Sequence, residues 1–351
     1  MNFNFFCKRI LLLIFTFSLF NCSKEATVVK EVVVEEPDES DDEYEGLIRE
    51  AKKYFDNPLP ANAEIDANKL TNEKVALGKK LFLDVRLSKN NTISCASCHD
   101  LNKFGTDNLA TSLGVAGRKG TRNSPTVFNA ALHFTQFWDG RVGTVEEQAG
   151  MPILNHIEMA MDDEQSVVEK IQGIVEYKTF FKNAFPKEIE PVNFGNITSA
   201  IAAFERTLLS PSRFDEFLKG DAKALTGKEK KGMFLFMTNR CVSCHDGPLV
   251  GGNKFRSFGS EENPYWVKTG SKNIDNGRYE LTGEAVDRYV FKVPSLRNVT
   301  KTFPYFHDGS VADIEEAIRI MGEVQLNIDL EDDDIQAIKA FLNSLTGEVS
   351  I

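Results

Sequence analysis

Cys-x-x-Cys-His occurs twice in this 351-residue chain, as Cys95-Ala96-Ser97-Cys98-His99 and Cys241-Val242-Ser243-Cys244-His245, each time followed by Asp. Cys95 and Cys241 lie 146 residues apart, about one domain length. Side chains at i and i+3 share one face of a helical turn, so both thiols can reach the two vinyl groups of one porphyrin. Histidine at i+4 then lies beneath the iron and supplies the proximal nitrogen. This is the attachment pattern of a c-type haem. A structural zinc site takes four ligands, so the two pairs could supply only one joint four-cysteine centre, and His99 and His245 would be coincidental. A thiol–disulfide redox pair needs neither the second copy nor the histidine. The motifs therefore read as two sites with one covalent haem each.

The remaining cysteines point to export. Lys8 and Arg9 precede an apolar run, residues 10–20, which is a charged n-region followed by a short h-region. The run is shorter than the ~20 residues that cross a bilayer. Residues 1–21 are expected to be a signal peptide that removes Cys7, and Leu19-Phe20-Asn21-Cys22 resembles a lipoprotein box, with Cys22 as the lipidated residue. Residues 22–46 are rich in Glu and Asp and read as a solvated acidic tether. Loss of residues 1–21 removes two of 41 basic residues and no acid, leaving 39 against 52, a balance of −13. Nothing in this suggests nucleic acid. All four remaining cysteines belong to the two motifs.

The surroundings of the motifs repeat. Leu-Thr opens residues 70–82 and residues 225–236, with Thr71 and Thr226 as expected helix N-caps, and both stretches end Gly-x-x-Leu-Phe. Each half closes on an amphipathic pattern: Ile197, Ile201, Phe204 and Leu208 in the first, Ile335, Ile338, Phe341, Leu342 and Leu345 in the second. Residues 137–149 and 306–318 align through Asp-Gly-x-Val and a Glu-Glu pair, and Trp138 stands where His307 stands. Arg122-Asn123 and Arg297-Asn298 lie upstream of each and are taken as equivalents. Helix, motif, loops and closing helix make the cytochrome c plan. The expected fold is mostly α, with two cytochrome c-like domains, 47–210 and 211–351, each wrapping one covalent haem in long loops.

Several stretches together, among them 95–109, 120–141, 146–160, 241–255 and 293–322, resemble the bacterial dihaem cytochrome c peroxidases, over most of residues 65–346. A related pattern belongs to the dihaem enzyme of methylamine utilisation. The resemblance implies that the 211–351 half is an electron-transfer domain whose haem is held by Cys241 and Cys244, with His245 and Met321 as axial ligands. A thioether ligand raises the potential. The methylamine relative would carry tyrosine at Met321. The 47–210 half is implied to be the peroxidatic domain, its haem on Cys95, Cys98 and His99. Glu158 matches the general acid/base, Gln148 a second polar residue of that pocket, and Trp138 the aromatic between the haems. The resemblance also implies a calcium ion on the Asn123 side chain and the Thr302 and Pro304 carbonyls, oxygen donors that suit Ca²⁺, and a homodimer.

One position departs from many such enzymes. The loop 111–125 that usually carries a distal histidine has none, and the aligned residue is Val115. The peroxide-site iron is therefore expected to be open without reductive priming, His133 and His156 being the other histidines of this half. The implied function is reduction of hydrogen peroxide to water in the periplasm. Electrons would come from a small c-type cytochrome or a cupredoxin, and a lipid on Cys22 would anchor the enzyme. The alternatives are a protein-oxidising enzyme of the methylamine-utilisation type and a non-catalytic dihaem electron carrier.

Overall fold

The structure, a computed structural model, describes residues 41–349. The signal peptide and the lipidation assignment at Cys22 fall outside them. Helices dominate. The first half carries α2 (Asn72–Leu83), α3 (Cys95–Cys98), α4 (Val145–Leu154), α5 (Glu164–Gln172), α6 (Val175–Ala184) and α7 (Phe194–Glu205), after α1 (Asp41–Phe55). The second carries α8 (Arg213–Lys219), α9 (Gly227–Thr238), α10 (Tyr265–Thr269), α11 (Tyr279–Thr282), α12 (Ile314–Met321) and α13 (Asp332–Ser344). One short antiparallel ribbon pairs β1 (Phe255–Ser257) with β2 (Val290–Lys292), Phe255 opposite Lys292. Among the described residues no helix is long and apolar enough to cross a membrane.

The repeated glycine explains the repeated helix pair. A Cβ on Gly78 would lie 1.8 Å from the Ala200 carbonyl oxygen, and one on Gly232 would lie 1.8 Å from that of Ala337. So α2 crosses α7, and α9 crosses α13, with backbones in direct contact, which only a residue without a side chain permits. Both leading helices start where expected: Thr71 Oγ1 accepts from Lys74 N (3.2 Å), and Thr226 Oγ1 accepts from Glu229 N (3.3 Å) while Glu229 Oε2 accepts from Thr226 N (2.8 Å), a reciprocal cap that satisfies two free donors. The periodic apolar residues of both closing helices are all buried, from Ile197 to Leu208 and from Ile335 to Leu345.

Among the described residues, two of the three buried clusters form on these helix pairs, one from Leu77, Leu81, Phe82, Ile197, Ile201 and Phe204, the other from Phe214, Met233, Phe236, Ile338, Phe341 and Leu342, while Phe258, Tyr265, Phe291 and Tyr305 form the third. The chain ends exchange sides. Ile48, Ala51 and Phe55 of α1 pack in the second core, with the Phe55 ring 5.2 Å from that of Phe214, although residues from 47 onward were expected in the first half. Val349 packs against the first core instead. The acidic stretch was expected to be unstructured through residue 46, yet residues 41–46 are already helical. Acidic residues at a helix start are favoured by the macrodipole, and the apolar face beyond them supplies the burial the tether lacks.

The structure also corrects the pairing of the repeats. Asn298 has its counterpart in Asn129, not Asn123. Both adopt left-handed φ of 61°, and both side-chain amides donate to Ser210 Oγ at 2.8 Å. The isolated bridges Gln136–Val142 and Tyr305–Val311 keep the same offset. In this ungapped register Pro152 stands opposite Met321. Phe128 stands opposite Arg297, a fully buried guanidinium that meets Asp215 (2.9 Å from Nη2 to Oδ1) and the Pro248 carbonyl (2.7 Å). Gly78→Ala and Gly232→Ala should each destabilise the fold by about 1–3 kcal/mol, the usual cost of overpacking. Denaturant unfolding of the two variants against the parent measures it, and unchanged midpoints would refute the contact.

Candidate functional site

Each motif cysteine pair begins at a short turn. Cys95 and Cys98 bound α3, and Cys241–Ser243 form a single 3₁₀ turn. All four thiols are unpaired. Burial pushes the Cys98 and Cys241 thiols up to about 11 and Cys95 higher still. A reactive redox pair requires the reverse, a depressed thiol. Among the described residues no three His, Cys, Asp or Glu side chains converge as a metal cluster, so the two pairs do not merge into one zinc centre.

The two histidines share one arrangement. His99 Nδ1 lies 3.2 Å from the Gly105 carbonyl oxygen, and His245 Nδ1 lies 3.4 Å from that of Val250. A carbonyl acceptor fixes the proton on Nδ1 and leaves Nε2 as the lone-pair donor, which is how a ligating histidine is oriented. Burial lowers both pKa values, that of His245 to about 4, which favours the neutral ring that ligation requires.

The second motif opens onto a cavity of about 1230 Å³, its mouth included, lined by Cys241, Cys244, His245, Met321 and the rings of Phe236, Phe258 and Phe291. His245 and Met321 therefore share one cavity. Trp138 and His307 stand in the same wall, 6.4 Å apart between ring centroids. The Trp138 indole N–H donates to the Asn123 carbonyl (2.9 Å), fixing a first-half ring at the edge of the second cavity. His307 Nε2 is buried with no partner. A largely apolar slot with two thiols, one imidazole, one thioether and an unsatisfied polar nitrogen fits a haem with its carboxylates. Met151 is 38% exposed and takes no part.

On the first side, Asn155 caps α4 and turns back to hold Glu158. Its side-chain amide donates to Glu158 Oε1 (2.8 Å), and its own Oδ1 accepts from Ile157 N (2.9 Å). Burial raises the Glu158 pKa, opposed by the Arg141 charge and the Asn155 bond. Sequence reasoning missed Asn155 because only the turn geometry brings it to Glu158. The loop of Val115 docks on that turn: Val115 N donates to the Glu158 carbonyl (2.8 Å), and a Cβ on Gly114 would lie 1.9 Å from the Ile157 carbonyl oxygen. Val115 is buried, His156 is exposed, and His133 Nδ1 lies 2.9 Å from Lys292 Nζ. Gln148 lies on α4, half-buried. The preceding Glu pairs are structural: Glu146 binds Arg206 (2.8 Å) and Glu315 binds Lys339 (2.6 Å).

The segments named for calcium are neighbours. Asn123 N donates to the His307 carbonyl (2.7 Å), and Asn108 Nδ2 donates to the Lys301 and Phe303 carbonyls that flank Thr302. The Asn123 amide nitrogen meets the Leu109 carbonyl (2.9 Å), which leaves its oxygen as the possible cation donor. A test of the second cavity follows from Gly251, where a Cβ would lie 2.2 Å from the Pro294 carbonyl oxygen and 3.2 Å from His245 Nδ1. Gly251→Ala should displace His245 and halve the haem-to-protein ratio by pyridine haemochrome; two haems retained would show that the ring does not depend on this contact.

A family profile described as Di-haem cytochrome c peroxidase matches residues 72–223. The cytochrome c551 peroxidase of Pseudomonas aeruginosa is 44% identical over 83% of this chain and 84% of its own length. The protein of that name from Nitrosomonas europaea is 46% identical over 78% and 79%. A crystal structure of a MauG-like protein associated with microbial copper homeostasis is 32% identical with a TM-score of 0.74, covering 84% of this chain and 95% of that one. With two haem motifs, their paired helices and a half-buried glutamate already in view, this chain belongs to the di-haem cytochrome c peroxidase family.

Proposed function

We propose that this protein reduces hydrogen peroxide to water at the first motif, taking electrons through the second from a small exported redox protein. Haem bound at Cys95, Cys98 and His99 would supply the electrons that break the O–O bond. The observation that carries the reading is Glu158, a half-buried carboxylate with a raised pKa, held by one oxygen so that the other is free. It accepts a proton from peroxide and returns it to the departing oxygen. Gln148 is the second polar group of this pocket. His245 and Met321 would hold the electron-input haem, and Trp138, in the wall of that cavity, would be the bridge toward the first half. The division between the halves follows residues 47–210 and 211–351, with α1 docked on the latter.

Val115 bears no ligating atom, and its backbone is tied to the turn of Glu158. The other two histidines of the half are exposed or paired with Lys292. These features support an iron open to peroxide in the resting protein. The protein-oxidising alternative is disfavoured by the thioether at position 321, and the electron-carrier alternative by Glu158 and Val115. Calcium on Asn123, Thr302 and Pro304, a homodimer, and a lipid on Cys22 in the periplasm complete the proposal.

Peroxide turnover by the as-isolated ferric protein should equal that of the pre-reduced form; a strict need for pre-reduction overturns the open site. Glu158→Gln should lower kcat/KM by about 10²–10⁴, the range for a general acid/base. The Asn155 bond stabilises the charged carboxylate, so Asn155→Leu should raise the Glu158 pKa further. Peroxide deprotonation needs the ionised form, and the acidic limb of the kcat/KM profile should move to higher pH. An unmoved limb would remove Glu158 from the role of base.

A further inference from the structure

Lys292 is a buried cation without an anion. It is 4% exposed and lines the second cavity. Its ammonium donates to His133 Nδ1 (2.9 Å) and to the Thr135 carbonyl (3.1 Å). Three hydrogens and two protein acceptors leave one donor toward the cavity. Among the described residues no ion pair includes Lys292. Asp139 is the carboxylate whose charge supports it, but that carboxylate is already shared by Arg122 (2.6 Å) and Arg141 (3.0 Å). Burying an unpaired ammonium costs several kcal/mol unless a partner is supplied. Burial pulls the Lys292 pKa down to about 7, opposed by the Asp139 charge.

His133 belongs to this arrangement. Burial keeps it neutral, so its Nδ1 is the acceptor for Lys292 and its Nε2 carries a proton. That Nε2 is buried and unpartnered, and a Cβ on Gly252 would lie 3.2 Å from it. Lys292 comes from β2 of the second half and His133 from the loop before Trp138 in the first. The Lys292 backbone N–H donates to the Trp138 carbonyl (2.7 Å). The ammonium is thus fixed by both halves.

We propose that Lys292, steadied by His133, is the docking point for a carboxylate side chain of the haem at the second motif. The carboxylate supplies the anion the protein withholds, and the lysine neutralises it in a dry wall beside the inter-haem tryptophan. A fixed positive charge there favours the reduced iron. The proposal rests on reading this cavity as a haem site, and a separate measurement tests that reading: a wild-type chain with fewer than two haems by pyridine haemochrome defeats the reading itself.

The test is a spectroelectrochemical titration of the fully loaded protein. Lys292→Met should lower the midpoint potential of the higher-potential haem so that its oxidised-to-reduced ratio rises about tenfold, about 59 mV for one electron, while Lys292→Arg keeps it near wild type. Both variants holding two haems at the wild-type potential would overturn the proposal. Should Lys292→Met fail to mature, His133→Gln is read instead. A smaller shift in the same direction supports the clamp, and an unmoved potential refutes it.

Discussion

The structure depends on two places where helix backbones touch without side chains between them, Gly78 against Ala200 and Gly232 against Ala337. Each contact fixes a leading helix on a closing helix at the closest approach two backbones allow. In the second half the motif follows two residues after the leading helix, and in the first half residues 84–94 intervene, so the contact anchors the chain that leads into each motif. Residues 99–144, between α3 and α4, can then carry no helix longer than a short 3₁₀ turn, because both ends of the stretch are held. Asn129 and Asn298 bind the two halves at one hydroxyl, Ser210, and the exchanged chain ends reinforce the join.

On this duplicated frame the chemistry diverges at matched positions. Met321 has a proline, Pro152, opposite it, so at this position only the second half carries a sulfur. Gln148 has Ala317 opposite it, so only the first half sets a polar side chain there. Trp138 and His307 are paired by the register and by contact, both in the wall of one cavity. The first half adds the Asn155–Glu158 turn, and the Val115 loop is hydrogen-bonded to it.

Charge at the junction follows the same economy of partners. Arg297 is buried against Asp215 with its remaining donors on the Pro248 carbonyl and the Ser212 hydroxyl, a pair the chain closes by itself. Arg122 and Arg141 share Asp139. Lys292 is left over, and the group that satisfies it is one the polypeptide does not encode.

The two motifs and the helix pairs were legible in the chain because each depends on short spacings: three positions from thiol to thiol, one more to the histidine, three and four between apolar positions. Those periods are local, and the structure reproduces them from Thr71 to Leu345. The sequence alone misjudged what depends on distant partners. Helix α1 sits in the second core because Phe55 finds Phe214 and Phe341 there. Asn129 rather than Asn123 is the equivalent of Asn298 because Ser210 can serve only the residues that reach it. Asn155 and the Lys292–His133 pair carry no motif, since a hydrogen bond across a turn or between residues 159 apart leaves no period to read. Spacing wrote the two motifs and the helix pairs into the sequence, while burial and the choice of partner, properties of the packed chain, decided which polar groups are satisfied.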